Sequence, residues 1–286
     1  RSIWVTGVQT CALPIYFEAG QRSDLFGATL GADYRFGTTG VAGAALRYGE
    51  LSGDFASQDG DFKSQNRGVS LYGSWFPGRG LFVDATAGID RKRMDTTRIV
   101  SLRKTILGGP GGPPNVFFDP PPAPVTSDTD ARESSAEIRA GYDFFAGAVT
   151  VGPRASLAKR RTEVDAFVER GSTPMALAFD SQTEDSLRSA LGVQGSRAFN
   201  VAGGVMVSQL NLDWVHEFED DQRVITAYFA EDLRPNRSQL RFLNEAPDRD
   251  AFVARLSAVA VFPHGVSAFG SVHYMEIGRA SCRERV

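Results

Sequence analysis

Between Phe26 and Tyr48 the chain reads FGATLGADYRFGTTGVAGAALRY, and apolar and polar side chains take turns along it. Phe26, Ala28, Leu30, Ala32, Tyr34 and Phe36 share one parity, and Gly27, Thr29, Gly31, Asp33 and Arg35 share the other. A period of two marks a strand with one apolar and one polar face. After a GTTG turn, Ala42, Ala44, Leu46 and Tyr48 resume the pattern against Gly43 and Arg47. The stretch predicts a β-hairpin with a greasy side, a charged side and aromatic ends. Such a hairpin suits a membrane β-barrel, where lipid takes one face and a polar lumen the other.

The alternation returns down the chain. Val69, Leu71, Gly73 and Trp75 oppose Ser70, Tyr72 and Ser74. Leu81, Val83, Ala85, Ala87 and Ile89 oppose Asp84, Thr86 and Asp90, and that strand is expected to run on through RKRMDTTRI above the membrane. Ala136, Ile138, Ala140, Tyr142 and Phe144 oppose Glu137, Arg139 and Asp143. Val149, Val151, Pro153, Ala155 and Leu157 oppose Thr150, Arg154 and Ser156. Leu187, Leu191 and Val193 oppose Arg188 and Gln194; Met206, Leu210, Leu212 and Trp214 oppose Gln209, Asn211, Asp213 and Glu217. Phe252 to Phe262 and Val266 to Tyr274 complete a set of ten strands.

Their connections alternate. Short turns fall near Thr38, Gly78, Ala146, Ala198 and Pro263, and long loops near Gly53, Pro113, Arg170 and Arg234. The proline-dense stretch from Leu102 to Ala131 reads as an exposed loop, and ITAYFA within the last long loop reads as a ladder extension. Short periplasmic turns and long outer loops are the asymmetry of an outer-membrane barrel. Asp33, Arg35, Arg47, Asp84, Glu137, Arg139, Asp143, Arg154, Asp213 and Arg255 all take the polar parity and are assigned to the lumen. A soluble β-sandwich would need its charges on the opposite side. Aromatic residues sharpen the picture: Tyr34, Phe36, Trp75, Phe144 and Phe262 stand beside short turns, and Tyr48, Trp214 and Tyr274 beside long loops. Two interfacial girdles account for them.

The first strand enters, and the last leaves, on the long-loop side. Barrels place both termini in the periplasm and use an even strand number, so twelve strands are expected in the full domain. With ten, the wall is expected either to gap between the Phe26 and Val266 strands or to close there with an irregular register.

Composition adds three points. No apolar run is long enough for a membrane helix, although 42% of the 286 residues are hydrophobic. The ends, RSIWVTGVQTCALPI (1–15) and EIGRASCRERV (276–286), share no periodicity with the body at 16–275 and resemble translated sequencing-adapter read-through. They hold both cysteines, Cys11 and Cys282; setting them aside leaves a cysteine-free, mildly acidic body. An acidic balance gives no support to a nucleic-acid partner.

Catalytic signals are sparse. His216, His264 and His273 have no metal-ligand spacing, and Asp59, Gly60 and Asp61 lack the glutamate of a calcium loop. Asp33/Arg35 and Glu137/Arg139 read as luminal ion pairs rather than acid–base pairs. No cofactor is expected.

Eight segments, LGADYRFG, AGAALRYGE, SLYGSWF, FVDATAGID, AEIRAGYDF, VGPRASLAKR, LGVQGSRAF and LDWVHEF, occur in order and together resemble the autotransporter β-domain, the translocator of type V secretion. The likeness covers roughly Phe17 to Met275. It implies an all-β, antiparallel, up-and-down transmembrane barrel of twelve strands in a bacterial outer membrane. It also implies a non-enzymatic anchor that exports or displays an N-terminal passenger. Its partners would be that passenger, outer-membrane lipid and the barrel-assembly machinery. The family's lumen-threading helix and final strand with a terminal aromatic residue are not found in the sequence. A passive porin-like channel and, further off, a barrel hydrolase are the alternative readings.

Overall fold

The computed structural model describes residues 21–55, 60–100, 104–106, 116–118, 121–201, 203–243, 246–262 and 267–277. Its wall starts with β1 (Gln21–Phe36), β2 (Gly40–Phe55), β3 (Gly60–Gly78) and β4 (Leu81–Val100). A small hairpin of β5 (Lys104–Ile106) and β6 (Val116–Phe118) precedes β7 (Ala123–Tyr142), and β8 (Phe144–Ala146) carries that strand on past Asp143. After β9 (Val149–Val164) an excursion holds β10 (Phe167–Val168), β11 (Arg170–Gly171) and β12 (Leu177–Phe179). The wall resumes with β13 (Gln182–Val201) and β14 (Gly204–Glu217). A second excursion holds β15 (Val224–Phe229) and β16 (Gln239–Leu243), and β17 (Asp250–Val261) and β18 (Ser267–Ile277) follow.

The path of the main sheet is β1-β2-β3-β4-β7-β9-β13-β14-β17-β18, with antiparallel neighbours throughout. The sheet curls like a half-barrel. Among the described residues β1 and β18 share no ladder, so the seam is open rather than closed with an irregular register. Strand order follows chain order because each short connection returns the chain beside the strand it has just left.

The faces are sorted as the periodicity requires. On β3, Leu71 is 67% exposed on the convex side while Ser70 is 7% exposed on the concave side. Phe26, Leu30, Leu46, Ile89, Ile138, Leu157, Leu191 and Leu256 are likewise exposed. Asp90, Asn211 and Asp213 are buried. A water-soluble domain hides its large apolar side chains and solvates its carboxylates. Here the arrangement is inverted, and an unbroken apolar face of this extent calls for lipid. From Phe26 to Phe36 on β1, ten residue steps cover about 33 Å along the strand. At a tilt of ~40° the band stands about 25 Å tall, the height of a barrel's apolar belt.

Several expectations need correction. The polar stretch after Tyr48 is ladder rather than loop: β2 and β3 stay paired up to Asp54 opposite Asp61. Beyond the membrane both faces meet water, so the apolar alternation ends while hydrogen bonding continues. The proline-dense segment ends earlier than expected, since β7 already begins at Ala123 with Pro124 opposite Ile99. A proline beside a strand's first residue removes only a terminal donor. The reversal expected near Ala198 and Phe199 lies beyond Val201, because Phe199 pairs with Met206 inside the ladder. ITAYFA does form a strand, yet it joins a separate sheet, β10-β12-β15-β16, instead of the wall. Glu276 and Ile277, assigned to the foreign tail, extend β18 opposite Phe252 and Ala251. Residues 1–15, 278–286 and the expected turn at Pro263 lie outside the described residues.

The inverted faces make a stability prediction. Leu71→Arg, on the convex face, should cost about 2–4 kcal/mol of refolding stability in bilayers. Thr86→Arg, exposed on the concave face, should cost well under half of that. Equal losses in a denaturant titration followed by tryptophan fluorescence would contradict the assignment of faces.

Candidate functional site

The concave face is the place where this chain concentrates its chemistry. Neighbouring strands are ~4.8 Å apart, so two polar residues in one row but two strands apart are separated by roughly 10 Å of backbone. A long side chain crosses that gap only if the residue between them is small. The chain meets this condition repeatedly. Arg47 on β2 and Asp90 on β4 both stand opposite Gly68 on β3. Arg47 Nη2 donates to Asp90 Oδ2 at 2.5 Å across that glycine. A Cβ on Gly68 would lie 1.9 Å from Asp90 Oδ1.

The same device recurs on β9, β13 and β14. Arg154 and Asp213 both oppose Gly192. Arg154 grips the Asp213 carboxylate with Nε at 2.7 Å and with Nη2, and its Nη1 donates to Asn211 Oδ1 at 2.8 Å. A Cβ on Gly192 would come within 2.3 Å of Asp213 Oδ1 and 2.2 Å of the Leu212 carbonyl oxygen. Tyr72 reaches Asp33 over Gly43 at 3.4 Å, and Gln194 reaches Asp143 over Gly152 at 2.7 Å. Four bridges therefore lie across glycines, two of them between full charges. The paired carboxylates Asp90 and Asp213 are 4% and 8% exposed. A buried ion pair that loses one member costs about 3–5 kcal/mol, so these bridges tie alternate strands together. Arg47 Nε and Asp90 Oδ1 are buried with no protein partner among the described residues.

Other residues assigned to the lumen behave variously. Arg139 pairs with Glu137 along its own strand at 2.6 Å. Asp84 and Arg139 are direct neighbours in register on β4 and β7. Arg35 sits exposed beside the first short turn, and Arg255 lies opposite Asn211. Among the described residues no bridge joins Arg35, Asp84 or Arg255 to a partner, so the ten residues do not form one network. Periodicity placed these residues on a face; only register shows which of them meet. Asp90, on the polar parity but outside the residues assigned to the lumen, and the bridging glycines emerge only from the register, because nothing in a single strand's sequence shows what stands opposite.

Most of the aromatic residues assigned to the girdles stand near strand ends, but Tyr48 lies inside β2, which runs on to Phe55. Tyr34 packs edge-on to Phe36 at 5.0 Å and Tyr142 against Phe144 at 4.8 Å. Trp75 is exposed, Arg197 lies over Phe199 at 5.1 Å, and Phe262 is half-buried one residue past β17. At the other rim Trp214 lies tilted against His216 at 5.9 Å, His216 meets Phe218 edge-on at 4.8 Å, and Tyr274 is exposed. The Tyr48 hydroxyl donates to Glu50 at 3.1 Å.

Above that rim the two excursions form a platform. Phe167 stacks on Phe179 at 4.7 Å, and Leu177 and Ala227 are buried between the small strands. Buried Glu169 accepts both Nε and Nη2 of Arg98 at 2.6 Å, and the Leu177 N–H at 2.8 Å, which fastens the platform to β4. Strand β11 adds to β7 at Val125 and Thr126. Among the described residues no group of His, Cys, Asp and Glu is arranged for a metal. His216 Nδ1 lies 2.9 Å from Asp250 Oδ1 at the exposed rim. Ser189 stands opposite His216 in register, and among the described residues no hydrogen bond joins the two.

The geometry is a lipid-facing sheet enclosing paired charges, and comparison with known proteins gives it a lineage. The family model described as the autotransporter β-domain matches residues 16–273. The chain belongs to that family. It is a β-domain of the outer membrane. Esterase EstA of Pseudomonas aeruginosa is 26% identical over 206 residues, which is 70% of this chain and 29% of that protein. An uncharacterized protein of the trpE-trpG intergenic region of Pseudomonas putida is 31% identical over 105 residues, 36% of this chain and 17% of that one. The chain thus spans under a third of the length of the curated relatives it matches. Among solved structures, the translocator domain of NalP from Neisseria meningitidis matches with a TM-score of 0.61 at 14% identity, covering 90% of this chain and 75% of that one. The β-domain of the Bordetella autotransporter BrkA matches at 0.56 and 15% identity, covering 94% and 88%. These two likenesses bear on the fold alone.

For this autotransporter β-domain the bridging glycines are the sharpest test of the concave face. Gly192→Val should destabilise the sheet by about 3–5 kcal/mol, because it evicts Asp213 from its buried arginine. Gly73→Ala is the control: its nearest neighbour would be the Val41 carbonyl oxygen at 3.4 Å on the open side. It should change stability by less than about 1 kcal/mol. Similar losses for both in chemical denaturation would remove the special role of the bridges.

Proposed function

We propose that this domain anchors a polypeptide in the outer membrane and exports or displays it as an N-terminal passenger. The observation that carries the reading is the family model's match over residues 16–273, a stretch folded as a sheet with an apolar convex face and paired charges on its concave face. The mixed-sign residues Asp33, Arg35, Arg47, Asp84, Asp90, Glu137, Arg139, Asp143, Arg154, Asp213 and Arg255 line the passage. Six acids against five arginines leave a weak net field, through which an extended chain of either charge passes without being held. The girdle aromatics fix the sheet's depth in outer-membrane lipid, and the barrel-assembly machinery inserts it. In this reading residues 16–275 make up the barrel, Glu276 and Ile277 carry its last strand two residues further, and 1–15 and 278–286 are foreign ends.

The barrel itself contributes no catalysis. The esterase named among the relatives is far longer than the matched stretch, and its activity belongs to that protein. Ser189 and Asp250 flank His216 in register at the exposed rim, with no hydrogen bond from the serine to the imidazole among the described residues, and in this reading the row is structural.

The test is a fusion that places a signal peptide and a small epitope-tagged passenger before residue 16 and follows the tag in intact cells. The tag should be accessible to external antibody and be removed by added protease. A tag held in the periplasm, with raised uptake of small solutes, would favour a passive channel. The purified passenger-free chain should give no turnover with lipids, esters or peptides, and clear turnover would contradict a non-enzymatic barrel.

A further inference from the structure

The convex face changes character at the outer rim, and one arc of it carries a single sign. Following each strand outward from the apolar band, the first charged convex residue is Arg67 on β3, Arg91 on β4, Arg132 on β7 and Lys159 on β9. These are four adjacent strands of the wall. All four side chains are exposed. Arg67 stands directly opposite Arg91, and Arg91 directly opposite Arg132, so three guanidinium groups form one row. Just inside the row lie Val69, Ile89 and Ser134, and Leu157 lies inside Lys159.

Like charges directly opposite each other on a sheet are destabilising. Elsewhere this chain pairs its cations carefully, as at Arg47, Arg154 and Lys92. Here it does not. No hydrogen bond or ion pair within the described residues involves Arg67, Arg91, Arg132 or Lys159. The anions facing the arc are engaged elsewhere or lie higher. Glu163, opposite Arg132, binds Arg161 at 3.0 Å, and Glu50 binds Lys63 at 2.7 Å. Asp130, one row above Arg132, is opposite Arg93. Strands to either side begin instead with acid, Asp24 on β1, Glu50 on β2 and Asp185 on β13, so the arc is a local feature and not a general basic rim.

We propose that this arc binds the phosphate groups of anionic lipid headgroups in the outer leaflet. The inference rests on the outer-membrane reading, which sets long-loop residues at that leaflet's surface. A guanidinium presents a planar fork of donors that matches phosphate oxygens, and a row of three at strand spacing offers several phosphates adjacent seats. The apolar side chains immediately inside the row give the acyl chains of the same lipids a surface. Anion binding also relieves the repulsion that the bare row carries. The occupant is therefore a lipid, held by headgroup and tail together, rather than a soluble phosphate.

The experiment measures lipid selectivity at the protein boundary. The chain is refolded into phosphatidylcholine bilayers containing a trace of spin-labelled phosphatidic acid or spin-labelled phosphatidylcholine, and the motionally restricted fraction of each is compared. The unaltered chain should favour phosphatidic acid roughly fivefold or more, the scale of one basic residue near a charged surface. Arg67→Gln, Arg91→Gln and Arg132→Gln combined should bring the ratio close to unity, whereas Arg35→Gln on the concave side should leave it unchanged. Selectivity that survives the triple change, or is absent from the unaltered chain, overturns the proposal. Loss of selectivity on adding inorganic phosphate in neutral salt-matched buffer would mean a soluble anion and also overturn it. If neither labelled lipid shows a restricted fraction, the apolar face does not meet lipid, and the outer-membrane reading fails first.

Discussion

Lipid offers no hydrogen bonds, and this one constraint organises the structure. Every backbone N–H and C=O at membrane depth must find its partner in a neighbouring strand. The continuous ladder from β1 to β18 meets that demand for all interior strands. It also frees the side chains from the usual task of hiding backbone, so each face is specified by its own surroundings. The two outermost strands remain exceptions, since an unpaired edge in hydrocarbon is costly and must be covered in the membrane.

From that constraint follows the inside-out distribution of chemistry. Apolar side chains contribute by facing lipid rather than by packing together, and the described structure has few buried large residues. Cohesion beyond the ladder comes from the concave side, where Arg47–Asp90 and Arg154–Asp213 reach across a glycine strand. Glycine has two consequences there. It removes the side chain that would block the bridge, and it lets neighbouring backbone approach on the inner side of a curled sheet. Above the membrane the logic becomes that of a soluble protein, with the Phe167–Phe179 stack and the Arg98–Glu169 pair supporting a small platform.

The wall strands were legible in the sequence because lipid imposes a strict period of two. Where lipid stops, so does the signal. The ladder beyond Tyr48, the start of β7 at Ala123 and the separate sheet around ITAYFA were all misread for that reason. Parity alone separated Leu71 from Ser70 and put Arg154 and Asp213 on one face. It did not show that those two meet, since their contact depends on the register of both with Gly192. The unpaired row of Arg67, Arg91 and Arg132 was hidden in the same way: each arginine is ordinary in its own strand, and only the pairing reveals three in line.

The central claim is that adjacent residues of one strand look into different solvents. Single cysteines at Val83, Asp84, Ala85, Thr86 and Ala87, in a chain with Cys11 and Cys282 replaced, test it most directly. Each is labelled with a small fluorophore after refolding into bilayers and exposed to iodide in the buffer or to a spin label on the lipid tails. Labels at Val83, Ala85 and Ala87 should be quenched from the lipid, and those at Asp84 and Thr86 by iodide. Quenching without alternation, or with the two parities exchanged, would contradict the account.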